Sequence, residues 1–552
     1  MPSVAHLFLL LLKALSIYAI SWTLWKLFRQ FFVRTALDNI AGPAPTSLWK
    51  GAFPQVFNPN AWDFHREMAE TYGSVIKIKA LFGENQLYVF DPKAMHHIIV
   101  KDQYIYEETS AFIEGNKLIF GPGLLGTLNE QHRKQRKMLN PVFSIAHMRE
   151  MIPTFYDITH KLEAAFTQRV KNGPQEIEIL SWMTRTALEL IAQSGLGYSF
   201  DPLTEDAVPH PYSPSVKMLV PINMRVFFLR TYLLASLVKI GGPRFRRFLL
   251  NLVPWKPLHN IRDISDVLHK TSVEIFENKR KALAEGDEAV ERQVGQGKDI
   301  LSILMRANME ASKEDALTEE ELLGQVSTLT FAAMDTTSSA LSRILWLLAG
   351  HQDVQDKLRH EIRQAREEHG GDLPYDKLVA LPYLDAICRE TLRLYAPVSV
   401  VQRTTRQDVV LPLGTPIKGL NGEEINEIPI PSNTNIIVGI MAANRNPEIW
   451  GPDSYEWKPE RWLAPLPESV TGAHLPGIYS HLMTFIGGGR ACIGFKFSQL
   501  EMKVVLLLLI DAFRFSLSKK EIYWQMNGIA TPTLANSDDK RPQLPMVIEL
   551  AK

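Results

Sequence analysis

The stretch from Thr318 to Gly350 limits the fold more than any other part of the 552-residue chain. Thr318 and Glu321 form an S/T-x-x-E capping box, in which each side chain satisfies a backbone N–H that a helix start leaves without a partner. Apolar residues then recur at helical spacing through Leu322, Val326, Leu329, Ala333, Leu341, Leu345 and Leu348, and Gly350 supplies a stop. Such a helix is ~48 Å long, enough to cross a whole domain. Its middle reads Asp335-Thr336-Thr337-Ser338-Ser339, residues that form helices indifferently and tend to bond their own backbone. A surface helix gathers its polar side chains on one side, whereas these run consecutively around the axis. The patch is a candidate active-site wall inside a core-crossing helix.

The remainder of the chain can bury such a helix. It is 46% apolar, 22% charged and 9% aromatic, the composition of a well-packed globular protein. Sixty basic and sixty acidic side chains cancel, so the overall charge draws the protein to no nucleic acid. Apolar spacing of three and four dominates, and alternation is confined to short stretches at 74–78, 86–90 and 435–440. The expected fold is mainly α with small β-sheets. The charged run 285–298 reads as a solvated surface segment. Cys388 and Cys492 lie too far apart for a C-x-x-C pair, and a lone disulfide is weak framework for so long a chain, which points to a reducing compartment. Cys388 reads as a small buried hydrophobe.

Residues 6–33 meet the requirement of about 20 largely apolar residues for a membrane span, interrupted by Lys13, so that either Lys13 snorkels or the helix starts later. Trp22 and Trp25 stand where an interfacial belt belongs, and Lys26, Arg29 and Arg34 follow, so the positive-inside rule places the rest of the chain in the cytosol. The rival, a cleaved signal peptide, lacks a small-residue cleavage site after the apolar run. Ala41-Gly42-Pro43-Ala44-Pro45 breaks any helix and reads as a hinge. The expected division is a membrane anchor and hinge over 1–38 and one catalytic domain over 39–552, since no internal repeat or low-complexity linker divides the latter. Apolar clusters among basic residues in 217–255 suit a second, shallow membrane contact.

Near the C-terminus, Phe485-Ile486-Gly487-Gly488-Gly489-Arg490-Ala491-Cys492-Ile493-Gly494 precedes a strongly apolar helix, roughly 495–513. Glycines let backbone turn tightly and approach a flat ligand. The cysteine falls at a helix start, whose free N–H groups and positive dipole end favour a thiolate. Arg490 is placed to neutralise an acidic group of the ligand.

This loop resembles the haem-binding signature F-x-x-G-x-R-x-C-x-G of the cytochrome P-450 superfamily, matched at Phe485, Gly488, Arg490, Cys492 and Gly494. Three further segments match in the family's order. Glu390-Thr391-Leu392-Arg393 is similar to its E-x-x-R motif, and Pro459-Glu460-Arg461-Trp462 to the segment whose arginine joins that pair in a buried ion network. Ala332 to Thr337 resembles the oxygen-binding motif of the central helix. Two positions depart from the pattern: Ala333 stands where glycine is usual, and His132 where a tryptophan is usual in a W-x-x-x-R segment whose arginine is Arg136.

The resemblance implies the cytochrome P-450 fold with a long central helix behind an N-terminal transmembrane helix. It implies haem b as cofactor, iron ligated by Cys492, and cofactor contacts from His132, Arg136, Arg403, Phe485 and Arg490. The implied reaction inserts one atom of O2 into a lipophilic small molecule, with Asp335 as relay acid and the Thr336 hydroxyl holding a hydrogen bond and water. Substrate contacts are expected from 112–125, Phe331, Ala332, 398–401 and 529–533. No flavin or nicotinamide fingerprint accompanies the motif, so electrons must come from a partner, which the resemblance implies is an NADPH-dependent flavoprotein reductase. Arg133, Lys134, Arg136 and Lys137 form either its docking face or a plain solvated helix. The likeness is to fungal microsomal members, which implies an endoplasmic reticulum membrane protein with a single span and a cytosolic catalytic domain, acting in secondary metabolism such as a terpenoid pathway. A haem-thiolate isomerase or dehydratase working without a reductase, and a non-catalytic haem-binding membrane protein, are the alternatives.

Overall fold

Apolar side chains spaced by three and four residues give helices over most of the chain, and the short alternating stretches give small sheets. The computed structural model describes residues 33–552 except 205, 209 and 540, together with 13, 14, 16–18, 21 and 25. Seven helices bear on the site: α1 (Ser110–Phe120), α2 (Asn129–Leu139), α3 (Tyr212–Arg225), α4 (Pro243–Leu252), α5 (Glu319–Gly350), α6 (Pro382–Leu394) and α7 (Phe495–Ala512).

Helix α5 is the expected long helix, 32 residues without interruption. Its capping box forms as read, with Glu321 N–H donating to Thr318 Oγ1 at 3.3 Å and Thr318 N–H to Glu321 Oε2 at 2.9 Å. Around α5 and the apolar α7 lies the larger hydrophobic core. A second core surrounds a five-stranded sheet built from β1 (Val75–Lys79), β2 (Asn85–Val89), β3 (Tyr106–Glu107), β4 (Val401–Thr405) and β5 (Asn435–Val438), in the order β1-β2-β5-β4-β3. The three stretches expected as strands are β1, β2 and β5, shifted by a residue or two at their ends. The cysteine loop runs along the seam of the two cores, since Phe485 and Ile493 pack against the first and Met483 and Ile486 belong with the second.

One close approach fixes the loop between α1 and α2 against α5. A Cβ on Gly324 would lie 2.5 Å from Gly123 N, and a Cβ on Gly123 2.4 Å from Gly324 O, so glycine is required on both sides. Gln325 Oε1 then accepts the Leu124 N–H at 3.2 Å. The carbonyls of that loop are thereby held at the edge of the site.

Among the described residues no helix is long and apolar enough to cross a membrane. The span expected at 6–33 lies almost wholly outside the described residues. Residues 41–45 form no helix, and the chain here lies on β1, with Lys77 N–H donating to Ala41 O at 2.9 Å. Just before it a turn at Ala36–Asn39 buries Leu37, and Ile40 is buried beside it.

Candidate active site

The cysteine loop is shaped by its glycines. Gly488 has φ +66°, and a Cβ there would lie 2.0 Å from Ile99 O, so no other residue fits. Gly489 N–H donates to Gln103 Oε1 at 2.7 Å, and Cys492 N–H to Phe485 O at 2.9 Å, which ties the cysteine to the start of the loop. The Phe485 ring packs on Phe495 of α7 with centroids 6.1 Å apart. Cys492 is open to solvent, yet the protein around it is dense enough that burial raises its thiol pKa, against the opposing pull of the Gly494 N–H and Arg136. A side chain both accessible and enclosed lines an internal slot. The helix start favours the thiolate as expected, but burial outweighs it; coordination to a metal ion removes the thiol proton outright.

Helix α5 has the complementary feature. On either side of its middle nearly every residue is buried, but Phe331, Ala332, Ala333 and Thr336 are partly exposed. Positions 332, 333 and 336 share one face, and a surface opening on one face of a buried helix requires a void beside it. Phe331 also packs on Phe120 of α1, the rings tilted by 33° with centroids 4.6 Å apart. Thr336 Oγ1 donates to Ala332 O at 2.7 Å, a bond within the helix, which continues unbroken past Ala333.

Asp335 does not share that face. It is 2% exposed and pairs with Lys217 of α3, Nζ to Oδ1 at 2.5 Å, while the same Nζ donates to Ser338 Oγ at 2.8 Å. The expected acid and alcohol are thus neighbours in sequence with different surroundings: Thr336 borders the void, Asp335 is held by a cation from another helix.

The expected contacts His132, Arg136, Arg403 and Arg490 do come together, lining one cavity of ≈ 620 Å³ with Gly489. Arg490 donates to Leu124 O at 3.1 Å and Thr127 O at 2.6 Å, the carbonyls that the glycine contact with α5 positions. Arg136 bonds Ala491 O, one residue from the cysteine. Burial, then the charges of Arg490 and Arg136, lower the His132 pKa to about 3, so this imidazole is neutral and acts as a hydrogen-bonding group. Arg403 has a partner that spacing alone did not foretell: Glu108 Oε2 lies 2.9 Å from its Nη1. The cause is the antiparallel pairing of β3 with β4, which sets Glu107 opposite Thr404 and brings Arg406 Nε to 2.7 Å from Glu107 Oε2.

Beneath the slot the E-x-x-R pair is fully buried and fully bonded. Arg393 reaches Glu390 at 2.8 and 2.9 Å, and Arg461 joins Glu390 at 3.3 Å. Trp462 Nε1 and Lys458 N–H also donate to Glu390, and Arg393 donates to the carbonyls of Asn444, Ser454 and Glu456. A buried pair with every lone pair and N–H engaged avoids the penalty of an unmatched buried charge.

Three polar residues near the site escaped the sequence reading. Lys217 and Glu108 are long-range partners, visible only once α3 and β3 are placed. Glu501 did leave a signal, as the only acid in the first 16 residues of the apolar α7; neither of its oxygens has a hydrogen-bond partner among the described residues. Burial holds its carboxyl far above the usual range, with Thr337 of α5 opposing.

The residues gathered beside the cysteine loop fit a haem on charge. Arg136, Arg403 and Arg490 line the cavity with Glu107 and Glu108; Arg406, which does not line it, pairs with Glu107, while Arg133 and Lys137 are matched by Glu130 and Asp315. With His132 neutral, four guanidinium groups stand against two carboxylates, and the surplus of two positive charges equals the two propionates of haem. Cys492 would supply a thiolate to such a macrocycle, and Arg136, Arg403, Arg490 and neutral His132 would hold its carboxylates.

The chain belongs to the cytochrome P450 family, whose model, Cytochrome P450, matches residues 42–536. Members of the family are haem-thiolate proteins with a cysteine as axial ligand, and as monooxygenases they act on small molecules with O2 and a redox partner. Cytochrome P450 monooxygenase 91 of Postia placenta is 55% identical over 98% of this chain and 99% of its own length. The ganoderic acid synthetase of Ganoderma lucidum is 45% identical over 97% of both chains, and a cytochrome P450 monooxygenase of Hericium erinaceus is 37% identical over 94% of both.

Proposed function

We propose that the protein inserts one oxygen atom from O2 into a lipophilic small molecule in fungal secondary metabolism, with Cys492 as the axial ligand of haem b. The observation that carries this reading is an accessible, enclosed Cys492 next to Ala491, whose carbonyl accepts from Arg136 of the arginine-lined cavity. Haem, when bound, supplies the activation of dioxygen. The chain's own residues do the rest. Arg136, Arg403, Arg490 and neutral His132 bind and orient the propionates, and the glycine loop presents the sulfur. Thr336 Oγ1 can turn from Ala332 O toward the void, where it holds a proton and a water in place. Asp335, tied to Lys217, moves a proton only when that pair loosens. The partly exposed Phe331, packed on Phe120, offers apolar surface, which suits a substrate held by shape.

A terpenoid acid or its precursor is the substrate class we assign, supported by the 45% identity to a protein named ganoderic acid synthetase. Electrons come from an NADPH-dependent flavoprotein reductase docking on the basic face of α2. We place the protein on the endoplasmic reticulum membrane, anchored by residues 6–33 with the body in the cytosol. Helix α4 and its flanks add a shallow contact, since Phe245, Phe248, Leu249 and Leu252 are exposed among Arg244, Arg246 and Arg247. The test is metabolite profiling of yeast expressing the chain with a fungal reductase and supplied with triterpenoids. A product heavier by one oxygen, labelled from 18O2, supports the reading; products without label from O2 contradict it.

A further inference from the structure

Glu108 is a carboxylate placed where a dianionic cofactor is to be received, which calls for a physical reason. It is 8% exposed, and its partner Arg403 is 3% exposed. The Arg403 guanidinium spends Nη1 on Glu108 Oε2 at 2.9 Å and on Gln402 O at 2.8 Å. It makes no other hydrogen bond among the described residues, so Nε and Nη2 remain for the cavity that Arg403 lines. Glu108 thus fixes one edge of the guanidinium and leaves the other edge available.

We propose that Glu108 is a positioning residue that orients Arg403 and holds the positive surplus of the propionate cradle at two, and that it thereby sets haem retention and reduction potential. This rests on the reading of the slot as the haem site. Reduction adds one negative charge to the cofactor, and a fixed carboxylate nearby opposes it through a medium that screens poorly. Without that charge, reduction is easier and the anionic propionates are held more tightly. An apolar replacement would also release Arg403 from its anchored edge.

The experiment uses the full chain as holoprotein in detergent, comparing wild type with Glu108→Gln, Glu108→Ala and Glu108→Asp. Glu176→Gln, on the remote strand Gln175–Glu178, serves as a charge-matched control. The readouts are the midpoint potential and the rate of haem transfer to excess apomyoglobin. Glu108→Gln keeps an acceptor for Arg403, so it should shift the midpoint positive and slow haem transfer about threefold, the factor a single partly screened charge supplies. Glu108→Ala should shift the midpoint equally but lose haem faster than Glu108→Gln, and Glu108→Asp and Glu176→Gln should keep the wild-type potential. An unmoved midpoint in both neutral variants overturns the proposal, as does an equal shift in Glu108→Asp or Glu176→Gln. A thiolate-type spectrum surviving in Cys492→Ala would instead overturn the site reading beneath it.

Discussion

Thr336 and Asp335 are adjacent, about 100° apart around α5, and this angle decides their roles. Thr336 faces the void and bonds only its own helix, so Thr336→Ala removes a hydroxyl where alanine is the better helix former. Haem content and stability should hold, while proton delivery falters: with reductase and substrate present, product per NADPH consumed should fall about tenfold or more and hydrogen peroxide should rise. Thr337→Ala, turned into the protein toward Glu501, should lose less. Unchanged coupling in Thr336→Ala would remove the hydroxyl from the proton path. A second single-residue effect follows from His65, which is 3% exposed with one ring nitrogen 2.9 Å from Val56 O. Burial lowers its pKa, the Val56 carbonyl opposes this, and the charge of Arg445 adds to the lowering. The unfolded chain therefore binds a proton below about pH 6.5 that the folded chain refuses, so stability falls as pH drops through that range. His65→Gln, which can still donate to Val56 O, should flatten the change in unfolding midpoint between pH 7.5 and pH 5.5. Equal slopes for variant and wild type would mean that His65 binds its proton equally in the folded and unfolded chains.

At the scale of elements, the motifs that close on themselves were legible in sequence and those that reach across the chain were not. The capping box of α5, the i,i+3 pair of α6 and the turn glycines of the cysteine loop are local, and each forms as read. The convergence of His132, Arg136, Arg403 and Arg490 was legible only through the family resemblance, because no spacing rule joins segments so far apart. Lys217 against Asp335, and Glu108 against Arg403, depend on how α3 crosses α5 and how β3 pairs with β4, and neither can be seen before the elements are packed. The same division predicts which changes do most damage. Arg393→Ala would leave Glu390 as a buried carboxylate short of its bidentate partner, a loss of about 3–5 kcal/mol. Purified variant should contain little haem per chain. Gly488→Ala adds a side chain at φ +66° against Ile99 O, so the loop must move; haem content should drop even though the thiol is intact. Full haem occupancy in either variant would contradict the support assigned to these elements.

The described residues form a mainly helical body around two large cores with the cysteine loop at their seam, and exposed apolar side chains gather around α4. Removing residues 1–40 should release much of the protein from microsomes but not all of it, because Phe245, Phe248 and Leu252 remain as a second contact. Truncated protein that sediments as completely as the full chain would show that residues 6–33 are not the principal anchor. The account as a whole depends on Cys492, the only cysteine besides the buried Cys388 and the only one in the slot. The direct test is the absorbance of the reduced carbon monoxide complex of the holoprotein in wild type, Cys492→Ala and Cys388→Ala. Thiolate-type absorbance in wild type and Cys388→Ala, and its loss in Cys492→Ala, is the predicted result; its persistence in Cys492→Ala would contradict the account.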